Sequence, residues 1–382
     1  AEGEASALRA EVAALARQQQ GYVGIQAAAH QQFLALRAQA QQVLLRHVRT
    51  PATNLLTPTL GDIEGAPFGA KQDSKQTEAL IARAFRLSED VPYAPLRLLG
   101  EGGTPGDAHW ACADPVHLRL HQERLILADG RTLEVAEEEA SQIIASLNAH
   151  FADAGTFHAA AADRWYLRLA QPTDFSAPSL STMAGRRVER QLPEDAGTAW
   201  LRKLLNEAQM LLHMHPVNAR REESGRMAIN SLWLWGPGCV PANLPASYGT
   251  VRTDHPFARG LALATGADCG SAPPSLAALL SELGARQADA AAGDVLVVLD
   301  DLLRAVQYED PDAWRDRILR LESDWFAPLA AEIRRGRIEL DLRSSTIYGL
   351  LSWHIGRGDL WRFWRRAVTM GSIARRLSGS PR

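Results

Sequence analysis

Lysine is almost missing from this chain. Lys71, Lys75 and Lys203 are the only ones, which leaves 38 arginines among 41 basic residues. Arginine holds its charge and forks onto carboxylate or phosphate. Alanine is also abundant, so a base-composition bias accounts for the ratio and the count alone locates no anion site. Cysteine is as scarce. Cys112, Cys239 and Cys269 are too few for a disulfide framework and show no paired metal spacing, which fits a reducing compartment. No apolar run approaches the ~20 residues that span a bilayer. Neither charge is in excess, and a formal net charge of -3 argues against a generally basic nucleic-acid binder. The first residues carry no basic stretch leading into an apolar one, so no secretion signal is visible and a cytoplasmic protein is expected. What remains is ordinary globular material. The 382 residues are 46% hydrophobic and 22% charged, enough for a sizeable core in about two to three domains.

Residues 1–50 are Ala- and Gln-rich and read as two helices, broken at Gly21-Tyr22-Val23-Gly24 and ending before Pro51. They are either an interaction helix pair or a terminal extension. Residues 51–105 read as a linker carrying a short amphipathic helix at 76–86 and a Gly-rich loop that ends 93–107. The Gly-Glu-Gly-Gly at 100–103 lacks the following Gly-Lys-Ser/Thr of a phosphate loop. From 108 onward strands and helices mix. HWACADPVHLRL, ERLILAD and DRWYLRLA read as strands, and EEEASQIIASLNAHFA as a helix with acids in its first turn. GTAWLRKLLNEAQMLLHMH is the clearest helix, with Trp200, Leu204, Leu205, Met210, Leu211 and Leu212 as its apolar surface and His215-Pro216 as its end. MAINSLWLWGPG and DVLVVLDDLL read as buried strands. DAWRDRILRLESDWFAPLAAEIRRG reads as one long helix, and RIELDLRSST as the strand after it. The alternation points to an α/β layer with parallel strands.

One stretch is more distinctive than any periodicity. LLNEAQMLLHMHPVNARREESGRMAINSLWLWGPG, residues 204–238, places Asn-Glu on a helix. His-Pro-x-Asn, an arginine, a glycine, and a strand leaving into a Gly-Pro-Gly turn follow. This resembles the archaeal-type cofactor-independent phosphoglycerate mutases of the alkaline-phosphatase superfamily. PANLPASYGTVRTDHPFARGLALATGAD and GDVLVVLDDLLRAVQYEDPDAWRDRILRLESDWFAPL are similar to later parts of that family, and the stretch from HWACADPVHL to EEEASQIIASLN is similar to its inserted domain. The phrases DPVHLR, RWYLRL, NEAQMLLH, HPVN and NSLWLWG also resemble proteobacterial regulatory proteins of the RpfE type. The resemblance implies an α/β protein. An α+β inserted-type domain over 106–225 precedes a partial alkaline-phosphatase-like α/β layer over 226–382 with a basic C-terminal helix, and N-terminal helices extend it.

The family's chemistry needs a Ser or Thr nucleophile beside two divalent metals held by carboxylates and histidines. The resemblance places those ligands in an early Asp-Gly-x-x-Asp, an Asp-x-x-x-His after a core strand and a late Asp-His. None is intact here. Residues 51–105 offer only Gly-Asp-Ile-Glu-Gly at 61–65. No histidine follows Asp300-Asp301 at ligand spacing, and Arg343 stands where the late histidine would help hold metal. Asp300, Asp301 and Asp341 are the weak metal candidates, with Glu309, Asp310 and Asp312 as either cluster members or helix-cap acids. His213 and His215 lie two apart at a helix end, and Cys239 has no assignable partner. No catalytic residue can be named. The densest polar motif is Asn218, Arg220, Arg221, Arg226, Asn230 and Ser231. It could grip a phosphate or carboxylate, or hold its own loop by hydrogen bonds. Trp361, Phe363 and Trp364 interleave with Arg362, Arg365 and Arg366 as either an anionic-surface binder or a docked helix.

Three functions remain open. The first is a non-catalytic relative of the mutases that binds a small anionic ligand or a protein partner in regulation. The second is a metal-dependent phosphomutase or phosphatase with altered ligands, using manganese or zinc. The third is a structural interaction module. No cofactor is expected outside the second.

Overall fold

Two sheets of opposite kind organise the chain. The computed structural model describes residues 76–88, 91–121, 124–173, 175–183, 187–188, 199–286, 294–307, 310–346 and 349–361. The expected helices of 1–50, the linker of 51–75, Glu309 and the Arg/Trp run from 362 onward lie outside them. The described residues fall into two compact units. The larger holds 76–300 and 340–354, the smaller 301–339 and 355–361. The mixed α/β class expected from the sequence is the one observed.

In the larger unit α1 (Gln76–Ala84) and α2 (Tyr93–Gly100) precede a six-stranded antiparallel sheet. Its strands are β1 (Trp110–His121), β2 (Arg124–Asp129), β3 (Gly155–Ala161), β4 (Arg164–Leu169), β5 (Arg187–Val188) and β6 (Ser231–Gly238). The long β1 is central. It pairs β4 over Trp110–Cys112, β2 over Val116–His121, and β6 over Trp110–Val116. The sheet packs α3 (Glu137–His150) and α4 (Ala199–His213). The α4 face that is buried is Leu201, Leu204, Leu205, Ala208 and Leu212, at 3, 4, 7 and 11 residues from the first, one stripe of a 3.6-residue turn. Met210, expected on that stripe, is instead 70% exposed, because it falls two residues from both Ala208 and Leu212 and so points away from their face.

Two further boundaries differ from the sequence reading. Residues 91–100 are core rather than linker, since Tyr93, Ala94, Leu96 and Leu98 are all buried. The domain boundary expected after 225 falls just ahead of β6, and β6 belongs to the preceding sheet through its pairing with β1. Leu232 to Trp235 are buried without alternation, as a strand covered on both faces must be.

The second sheet has three parallel strands. β7 (Thr250–Thr253) lies between β8 (Asp268–Gly270) and β9 (Val295–Val298). α6 (Pro256–Ala264) and α7 (Leu276–Arg286) provide the crossovers that parallel pairing requires. β9 was expected to be buried throughout. It is an edge among the described strands, and Val295 is 38% exposed. α2 and α6 meet backbone to backbone, and a Cβ added at Gly260 would sit 1.6 Å from the Leu96 carbonyl oxygen. β10 (Leu340–Thr346) and β11 (Gly349–Ile355) form a separate two-stranded sheet.

The smaller unit is helical. α8 (Asp301–Gln307) leads to α9 (Pro311–Leu321), a π turn (Glu322–Phe326) and α10 (Ala327–Arg334). Asp310 caps α9 by accepting from the Ala313 N–H at 2.9 Å, the helix-cap role weighed for it in the sequence. The helix read as continuous is therefore interrupted by one wide turn. Pro328 explains it: proline has no N–H for the carbonyl four residues back and its ring crowds that carbonyl. Leu321, Trp325, Ala330 and Ile333 are buried in this unit.

Candidate functional site

The polar motif of 218–231 is assembled: Asn218, Arg221 and Ser231 are buried, Asn230 is half-buried, and Arg220 and Arg226 lie at the surface. Pro216–Glu223 forms a short helix, α5, capped by His215, whose Nδ1 accepts from the Val217 N–H at 3.2 Å. Asn218 is buried, donates to the Leu212 and Ile229 carbonyls at 2.7 Å each, and accepts from the Ile229 N–H at 2.8 Å. Arg221 has no exposed surface. It donates to the Met227 carbonyl at 2.8 Å, to Glu139 Oε2 at 2.5 Å and to the Leu133 carbonyl. Arg226 reaches the other oxygen of Glu139 at 2.7 Å, and Arg220 donates to Gln142 at 2.7 Å. Asn230 clasps both backbone groups of Leu118, at 2.7 and 3.0 Å, and Ser231 accepts from Gln209 at 3.2 Å. Of the two roles open for these six residues, the hydrogen bonds describe the loop-holding one. A guanidinium spent on a carboxylate and two carbonyls has no fork left for a ligand.

Glu139 is the keystone of this loop. Burial alone would raise its pKa, but the Ala136 N–H, Arg221 and Arg226 outweigh that and hold it below the usual carboxylate range. The His215 pKa is lowered as well, which for a histidine disfavours the charged form: burial and the nearby Arg220 push it down, against a raising contribution from Gln142. With Nδ1 accepting, its Nε2 carries the proton toward Ser146 Oγ at 3.0 Å. Sequence reasoning placed His215 at the end of one helix; it is the N-cap of the next. His213, the last residue of α4, is exposed.

The acidic candidates sit at strand and helix ends. Asp300 follows β9 at the carboxyl end of the parallel sheet, where α/β folds place their sites. At the same end Thr253 is buried and accepts from the His255 N–H at 3.0 Å. His255 caps no N–H with its ring, and its Nδ1 is buried without a partner among the described residues. Asp301 opens α8 and pairs with Arg317 at 2.8 Å. Asp341, on β10, meets His354 Nδ1 at 2.7 Å, both about two-thirds exposed. His354 escaped the sequence reading because its partner lies across a hairpin. Among the described residues no three His, Cys, Asp or Glu side chains could hold a metal ion. Cys239 is half-buried.

A buried charge network crosses the sheet. Arg97 forks onto Asp114 at 2.9 and 2.6 Å and donates to Tyr166 Oη at 2.7 Å. Asp114 also accepts from the Trp235 indole at 2.8 Å. Burial opposes the charge of Arg97, yet Asp114 holds its pKa well above the ordinary arginine value. Tyr166 in turn donates to Glu101 at 2.6 Å, and Arg164 binds the other Glu101 oxygen. Glu101 lines a cleft of about 890 Å³, bounded by the loop 102–108 and by Trp110, His158 and Arg168. The Gly-rich loop was visible in the sequence; the strand residues that face it were not, since their convergence depends on the β3–β4 pairing.

These features define an α/β protein with an antiparallel and a parallel sheet and no helix among its described residues long and apolar enough to cross a membrane. No protein-family model matches the chain. Stretches of it are similar to curated mutases: 33% identical over 91 residues to a probable 2,3-bisphosphoglycerate-independent phosphoglycerate mutase of Geobacter sulfurreducens (22% of this chain, 23% of that one). The identity is 35% over 63 residues with the Methanosarcina barkeri mutase (16% of each), and 30% over 128 residues with one from Methanothermobacter thermautotrophicus (33% and 31%). The matched stretches thus span less than a third of these relatives. Among solved structures, a cofactor-independent phosphoglycerate mutase from Thermoplasma acidophilum aligns at 16% identity and a TM-score of 0.35, over 75% of this chain and 77% of its own. Over the stretches matched in sequence, the chain is distantly homologous to the cofactor-independent phosphoglycerate mutases.

Proposed function

We propose that this chain binds a ligand or partner and does not run the mutase reaction of its relatives. A metal-dependent phosphomutase clamps the transferring phosphoryl group between two divalent ions, each held by carboxylates and histidines. The donor set here does not fit such a pair. Asp301 is tied to Arg317, Asp341 stands two residues from Arg343 and bonds a solvent-exposed histidine, and no third donor joins either among the described residues. The engagement of Asp301 and Asp341 by other side chains is the observation that carries this reading. A regulatory role of the RpfE type is compatible with it and rests on the sequence phrases DPVHLR, RWYLRL and NSLWLWG.

The test is elemental mass spectrometry on protein purified without chelator, with manganese and zinc titrations and a coupled assay of 3-phosphoglycerate conversion. Less than one equivalent of metal and no turnover are expected. Two tight equivalents with turnover would overturn the proposal and favour a phosphomutase with altered ligands.

A further inference from the structure

The cleft beside the Gly-rich loop has the makings of a ligand site that nothing above uses. Its volume, about 890 Å³, lies within the ~300–1,000 Å³ typical of small-molecule sites. One wall is the loop 101–108, which leaves the end of α2. Gly102 (φ +88°) and Gly106 (φ +57°) take left-handed conformations there, and a Cβ on either would meet nothing within 4 Å. The turns therefore serve the path of the chain and leave open space. The other wall is the β3–β4 pair. On β4, Arg164 and Arg168 are four residues apart and so share a face. Arg164 is consumed by Glu101 and Asp163. Arg168 lines the cleft, and its side chain has no hydrogen bond or ion pair among the described residues. Glu101, the other acid lining the cleft beside Asp107, is engaged by Arg164 and the Tyr166 hydroxyl and makes no hydrogen bond or ion pair with the Arg168 side chain.

We infer that this cleft binds a small organic anion, a phosphate or carboxylate on an apolar body, with Arg168 gripping the oxyanion. A guanidinium forks onto either group and is only weakly hydrated, which suits it to a half-enclosed site. His158 stands beside it. Its ring packs on Trp110 with centroids 5.2 Å apart. Burial, and then the Arg168 charge, lower its pKa, so at neutral pH it is an uncharged imidazole with one N–H to give. Trp110, Leu98 and Ala159 supply apolar surface for the rest of the molecule. Asp107 is the one exposed acid on the loop wall, and its charge works against an anion. The inference is independent of the metal question, because binding is read without turnover.

Calorimetric titration of the full chain with phenyl phosphate, benzoate and benzyl alcohol tests it. One equivalent of phenyl phosphate or benzoate should bind saturably while the uncharged alcohol does not; which anion wins names the group. Arg168→Gln should weaken binding at least about tenfold, and Asp107→Asn should tighten it. Both positions are exposed, and a thermal melt confirms that each variant folds. Absence of saturable anion binding, equal binding of the alcohol, or an Arg168→Gln affinity equal to that of the parent would overturn the site.

Discussion

Arg221 and Arg226 grip the same carboxylate, yet they are not equivalent. Arg221 is wholly buried and Arg226 has 41% of its side chain exposed. Removing one partner of a buried pair leaves an uncompensated charge and costs about 3–5 kcal/mol, whereas an exposed pair is worth ~0–1 kcal/mol. Arg221→Met should therefore lower unfolding stability by several kcal/mol in urea titration, and Arg226→Met by less than about 1 kcal/mol. Equal losses would show that Glu139, not burial, sets the cost. The motif was legible as polar and arginine-rich, but its job was not. The acid that engages Arg221 lies 82 residues earlier, and no spacing rule connects them. Asp114 makes the same point. It reads as an ordinary strand acid, and only the fold reveals Arg97 and Trp235 around it.

Helices were the elements most readable in the sequence, because their stripes are local; α3 and α4 sit where the periodicity puts them. What joins them was less so. Between α4 and α5 the chain turns on His215, whose cap requires an unprotonated Nδ1. Its folded pKa lies below the ordinary 6.5, so the unfolded chain takes up the proton first. Stability from this group is present above about pH 6.5 and declines as pH falls from there toward the folded pKa. His215→Asn keeps a capping side chain and removes the titration. The variant should start lower at pH 8, by on the order of 1 kcal/mol for the lost Ser146 bond, and the gap to the parent should narrow as the pH is taken to 5. A gap that stays constant in melts across this range would rule out the linkage. Helix crossing is a second element-scale feature hidden in sequence. Gly260→Ala should favour α6 by propensity, ~1 kcal/mol, but its Cβ would meet the Leu96 carbonyl at 1.6 Å. Parting two helices costs more than that gain, so a net loss of about 2 kcal/mol or more is expected in thermal unfolding.

At the scale of the molecule, strand pairing decides what counts as a domain. Strand identity in β1, β2, β4 and β6 follows from apolar patterning, and each was readable. Partnership was not, because β6 returns to β1 across more than a hundred residues, with α3, α4 and four strands between them. A boundary drawn after residue 225, where the resemblance ends the inserted-type domain, cuts the sheet beside its central strand. The consequence is measurable. A chain ending at Gly225 retains β1 to β5 and both packing helices, yet it loses Leu232, Trp233, Leu234 and Trp235 from the core. It also strips β1 of its ladder over Trp110–Val116 and takes the Trp235 indole from Asp114. Each large apolar side chain contributes about 1.5–3 kcal/mol on burial, and four of them exceed a large share of the ~5–15 kcal/mol by which a domain is stable. The bared side of β1 would also present unpaired backbone groups to other chains. The fragment should show no cooperative melt by circular dichroism and should aggregate, while the full chain melts cooperatively. A sharp transition in the 225-residue fragment would mean that β1 to β5 close a core of their own and that β6 is an appendage to it.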